Sequence, residues 1–307
     1  MNDYLLISFI MTVIGASTPI LLAALGELVV EKSGVLNLGV EGMMLVGAVT
    51  GFAVTSITGM PLVGIIVAAI TATLAALIFA YLTLTLTANQ VATGLALTIF
   101  GIGLSSLLGE GFVGFTIDVM GPVFPAGLAE HPVLRVVFGH NVVVYFSIAM
   151  IGAVAWFLKK SRAGLILRAV GESDSSAHSI GYSVIGVRYA AVAFGGAMAG
   201  IGGSYYSLVL TPMWAEQLTA GRGWIALALV VFSAWRPWRL LLGAYFFGVV
   251  MTLELYTKAA GITLIAPELL AAMPYIATIA VLALISLRKS AGAQAPACLG
   301  QPFKPST

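Results

Sequence analysis

The chain has 307 residues, of which 60% are hydrophobic and only 8% charged, with a formal net charge of +2 and a mean hydropathy of +1.06. A soluble domain carries about 25% charged residues to keep its surface wet, so this composition excludes an ordinary soluble fold and requires lipid around much of the outside. The small net charge, with no basic stripe interleaved with aromatics, argues against a nucleic-acid partner.

A helical membrane span takes about 20 mainly apolar residues. In chain order, the apolar runs predict spans over 4–25, 38–57, 62–86, 91–109, 142–158, 189–210, 223–235, 240–257 and 270–287. The expected fold is an all-α, polytopic transmembrane helical bundle of about nine spans (eight to ten). The start, Met1-Asn2-Asp3, lacks the basic flank of a cleavable signal peptide, so the first run is expected to remain as a span. The expected breaks are the polar stretch 26–37, Gly59-Met60-Pro61, Ala88-Asn89-Gln90, the segments 110–141 and 159–188, the loop 211–222, Trp235–Arg239, and 258–269. Residues 1–289 read as one transmembrane domain in two unequal halves joined by 159–188, without a convincing internal repeat. Residues 290–307 are low in complexity and read as a disordered cytoplasmic tail.

Basic residues set the orientation. With the start outside, one side collects Lys32, Lys159, Lys160, Arg162, Arg168, Arg188, Arg236, Arg239, Arg288, Lys289 and Lys304. The other collects only Arg135, Arg222 and Lys258, eleven against three of the fourteen. This places the N-terminus outside, and 159–188 and the C-terminus in the cytoplasm. The segment 26–41 is too polar for an ordinary span and is expected to be re-entrant or broken.

The sequence offers no catalytic constellation. No phosphate loop ends in Gly-Lys-Ser or Gly-Lys-Thr, and no serine sits in a nucleophile elbow. His131, His140 and His178 are too scattered for a metal site, and Cys298 reads as a bystander thiol in the tail. Neither enzymatic activity nor a cofactor or metal is expected in this chain.

Three polar segments remain. Gly26–Gly42 holds Glu27, Glu31, Lys32, Asn37 and Glu41 among four glycines. Ionisable groups at membrane depth face a cavity or a partner. Glu27, Glu31 and Lys32 read equally as an interfacial loop, whereas Asn37 and Glu41, flanked by apolar residues, read as buried. Asn89-Gln90-Val91-Ala92-Thr93-Gly94 opens a span with groups suited either to bonding a solute or to capping the helix. In Leu167–Tyr182, Ser173 with the small residues that follow and Gly181 reads as a short capped helix, either a connector or a platform for a partner.

The strings Glu31–Met44, Asn89–Ala96 and Arg168-Ala169-Val170-Gly171-Glu172 resemble bacterial ATP-binding-cassette importer permeases of the family serving ribose-type sugars, branched-chain amino acids and nucleosides. The similarity runs over about residues 1–290. Continuing through Gly195–Gly203, it is closest to the shorter permease of purine-nucleoside systems with a basic-membrane-protein type lipoprotein. The resemblance implies a type II-importer-like permease of the bacterial inner membrane, embedded in lipid. It also implies a second, paralogous permease, a cytoplasmic ATPase and an extracytoplasmic substrate-binding protein. Asn37, Glu41, Asn89, Gln90, Thr93 and Gly94 are then expected to line or brace the path, and Arg168, Gly171, Glu172 and Gly181 to shape the ATPase contact. The Glu172-Ser173-Asp174 step departs from the family's more usual Glu-Asn-Pro, which blurs where the coupling helix starts. The absent phosphate loop agrees, since energy must then come from another chain. The rival is an ion-gradient-driven transporter or channel using Glu27, Glu41 and Glu254 as proton-relay groups.

Overall fold

The computed structural model describes residues 2–259 and 295–304 continuously, with isolated positions between 269 and 283. The expected span 270–287 and the stretch 290–294 lie outside the continuously described residues. Among the described residues the α-helices longer than one turn are α1 (Asn2–Lys32), α2 (Val40–Thr58), α3 (Pro61–Ala80), α4 (Gln90–Gly109), α5 (Val142–Lys160), α6 (Arg162–Glu172), α7 (Asp174–Ser179), α8 (Val184–Tyr205), α9 (Arg222–Phe232) and α10 (Pro237–Ala259). Single π turns extend α3 to Thr85 and α8 to Leu210. The fold is an all-α membrane bundle, and among the described residues seven helices, α1–α5, α8 and α10, are long and apolar enough to cross a membrane.

Local chemistry sets the helix ends. Gly59, at φ +68, closes α2, and Pro61 opens α3 where no amide is needed. Asn89, Asn141, Ser161, Ser173 and Ser183 each accept an amide of the first turn that follows.

Three expectations need correction. The polar stretch 26–37 is not a break from residue 26, because α1 stays helical to Lys32. Glu27 and Glu31 lie one turn apart on α1, and both carboxylates find donors inside the protein, which removes the reason to leave the helix. The expected span 223–235 is instead the 11-residue α9, about 16 Å long against a hydrocarbon core of about 30 Å. Residues 295–304 of the expected disordered tail are docked. Cys298 N donates to Gly171 O (3.0 Å), Gly300 N donates to Gly34 O (3.0 Å), and the Phe303 ring meets His178 edge-on. Small residues let this strip lie flat on carbonyls left free where α1 and α6 end, and they bury the Cys298 thiol.

At the centre, α8 packs against α1, α2 and α3. Hydrophobic transfer supplies little attraction between helices already in lipid, so close backbone approach does the work. A Cβ on Gly47 would fall 2.6 Å from Gly200 Cα, and one on Gly42 would fall 2.6 Å from Leu97 O.

Candidate functional site

Between α1 and α2 the chain is non-helical over 33–39, so the segment expected to be re-entrant or broken is broken there. It lies along α4: Leu36 N donates to Gln90 Oε1 (2.8 Å), and Thr98 Oγ1 donates to Leu38 O (3.0 Å). Gly94 leaves room for this approach, since a Cβ there would sit 2.7 Å from Leu38 N. Asn37 N donates to Glu27 Oε1 (3.2 Å), while Asn37 Oδ1 accepts Gly39 N (2.9 Å). Trp235 Nε1 donates to Glu31 Oε2 (2.5 Å).

Glu41, in the first turn of α2, is 4% exposed. Its Oε1 accepts from Thr219 Oγ1 (2.5 Å) and Gly221 N (2.8 Å), and its Oε2 accepts from Gly223 N (2.5 Å). The carboxylate thus sits at the N-termini of α2 and α9, where the free amides and helix dipoles favour negative charge. It fixes the turn from which Arg222 projects, and the Arg222 guanidinium lies 4.8 Å above the Tyr206 ring.

Of the six expected path residues, the structure gathers Asn37, Glu41, Gln90 and Gly94 around the broken segment, all buried. Thr93 is half-buried, and Asn89 is an exposed cap that accepts Ala92 N (2.9 Å). Glu41's partners lie nearly 180 residues away, so no local signal in the sequence marks them.

A cavity of about 700 Å³ opens at the end of the bundle holding the start of α1 and the ends of α8 and α10. Arg135, Arg222 and Lys258, the three basic residues assigned to one side by the charge count, all line it. Glu254, also in its wall, pairs with Lys258 (2.7 Å). His140 borders it and donates Nε2 to Val136 O (3.0 Å), while burial pulls its pKa below the usual imidazole value.

The opposite end is basic and carries α6 and α7. Arg168, Glu172 and Gly181 are exposed there, whereas Gly171 is buried so close to the end of α1 that a Cβ there would collide with the Lys32 carbonyl oxygen. Ser173 caps α7 as expected, and Gly181 turns the chain at φ +90. Ile180 beside it is an apolar side chain left 71% exposed, which no motif in the sequence marks. Fully buried Arg188 ties this end together, donating to Ser33 O (3.1 Å), Gln301 O (3.2 Å) and Asp174 Oδ2 (3.2 Å).

Residues 9–282 match the family described as the branched-chain amino acid transport system / permease component. The chain is 40% identical over 295 residues to the putative glucose ABC transporter permease protein TsgC13 of Haloferax volcanii, covering 89% of this chain and 90% of the relative. It is 31% identical to the guanosine ABC transporter permease protein NupQ of Bacillus subtilis, covering 86% and 87%. It is 29% identical to the nucleoside ABC transporter permease protein NupC of Lactococcus lactis, covering 87% and 89%.

Proposed function

This chain belongs to the permease-component family of branched-chain amino acid transport systems and is a permease subunit of an ABC transporter, and from that premise we propose that it carries a nucleoside or a simple sugar inward across the plasma membrane. The observation that carries the substrate class is identity to both sugar and nucleoside permeases over nearly nine tenths of each chain. An ABC permease works with an ATPase and a substrate-binding protein. We place the ATPase on the exposed face of α6 and α7, around Arg168, Glu172, Gly181 and Ile180, and take a second permease chain as the partner in the membrane. The basic end is the cytoplasmic one, which leaves the 700 Å³ cavity facing outward. Asn37, Glu41, Gln90 and Gly94 brace the path through the broken segment, and ATP bound by the partner ATPase drives transport by favouring one of the two states in which the bundle opens to either side.

The test is uptake in vesicles holding the permeases, the ATPase and the binding protein. ATP-dependent accumulation of guanosine or glucose is the expected result. Uptake that survives ATP depletion and collapses with an ionophore would replace this reading with an ion-driven carrier. Topology is tested by Ser175→Cys and Ala126→Cys, of which only the second should react with an impermeant thiol reagent outside intact cells.

A further inference from the structure

Arg188 stands one turn into α8, and its three guanidinium nitrogens each hold a different segment. Nε donates to the carbonyl of Ser33, the first residue after α1, and Nη2 to the carboxylate of Asp174, the first residue of α7. Nη1 donates to Gln301 O in the C-terminal strip. The strip closes the joint from its other side: Gly300 N reaches Gly34 O, Cys298 N reaches Gly171 O, and Phe303 packs on Val170, Ala177 and Val184. Gly34, at φ +90, makes the turn and leaves clearance, since a Cβ there would lie 2.9 Å from Arg188 Nη2. A buried ion pair is a poor source of stability compared with apolar packing, but a planar fork of donors fixes several partners in one geometry.

On the reading that the ATPase seats on α6 and α7, we propose that Arg188 is a positioning residue of the transport cycle. Its guanidinium locks α7 to the start of the broken segment, so that a displacement of α7 by the ATPase reaches the residues that brace the path. Without it, the non-helical residues 180–183 and 33–39 would absorb the displacement. The segment that begins at Ser33 continues to Leu36, which bonds Gln90, and Asn37, which bonds Glu27, so the movement has a bonded route onward to α4 and α1.

The test uses the assembled transporter in inside-out vesicles, with Leu36→Cys as a reporter in a Cys298→Ser chain. Labelling by N-ethylmaleimide is timed without nucleotide and with ATP trapped by vanadate. Arg188→Lys keeps the charge and loses the fork; Asp174→Asn keeps the shape and weakens the ion pair. The expected result is a labelling rate that changes on trapping when Arg188 and Asp174 are intact. That change should be lost in both variants, while ATP hydrolysis and membrane abundance stay close to wild type. No change with the joint intact, or the same change in either variant, overturns the proposal. Loss of hydrolysis together with the labelling response reports a merely structural role and also overturns it. A photo-reactive residue at Ile180 tests the seat separately. Failure to capture the ATPase overturns the seat and the joint together, whereas capture with an unaltered labelling response in the variants overturns the joint alone.

Discussion

Replacing Glu41 tests the argument that a buried carboxylate joins two helix starts. In Glu41→Leu the volume is nearly kept, but the Thr219 hydroxyl and the Gly221 and Gly223 amides lose their acceptor. Three orphaned donors at the lower bound of about 1 kcal/mol each make a loss of about 3 kcal/mol, partly offset because a desolvated charge is also removed. Glu41→Gln keeps one acceptor oxygen and turns an N–H toward a donor, costing about 1–2 kcal/mol. Melting of the detergent-purified protein should therefore fall in the order wild type, glutamine, leucine. Uptake measured per molecule in the membrane should fall in the same order, because Arg222 loses its fixed turn. A leucine variant that melts and transports like wild type would refute the clamp.

Trp235→Phe should lower stability by about 1–3 kcal/mol in a melting assay, since it strips the indole donor from the buried Glu31 carboxylate. Gly171→Val drives a side chain into the Lys32 carbonyl and should lift α6 from the end of α1. Its expected signature is ATP hydrolysis that continues while uptake is lost, read in the same vesicles. A chain ended at Gln294 loses the bonds from Cys298 N, Gly300 N and Arg188 to Gln301 O, worth about 2–4 kcal/mol in a melt. For His140, whose folded pKa is depressed, folding is unpenalised at high pH. Stability is lost as pH falls below the unfolded value of about 6.5, and His140→Gln should flatten that decline.

Composition and run length by themselves determine that this chain is an all-α membrane protein, because lipid demands apolar length and internally bonded backbone. They place most helix ends within a few residues, since Gly59-Met60-Pro61, Asn89, Asn141 and Ser173 carry their turn and cap chemistry locally. Basic-residue counting separates Arg135, Arg222 and Lys258 from the rest, and those three share one cavity. An apolar run such as 223–235 does not declare whether it crosses lipid or stops halfway inside protein, because both environments select the same residues. Tertiary structure decides that, and it alone joins Glu41 to the start of α9, Glu31 to Trp235, and the 295–304 strip to Gly34 and Gly171. These pairings depend on which helices become neighbours. A carboxylate among apolar residues announces that it needs donors, but only the packed bundle brings them within reach.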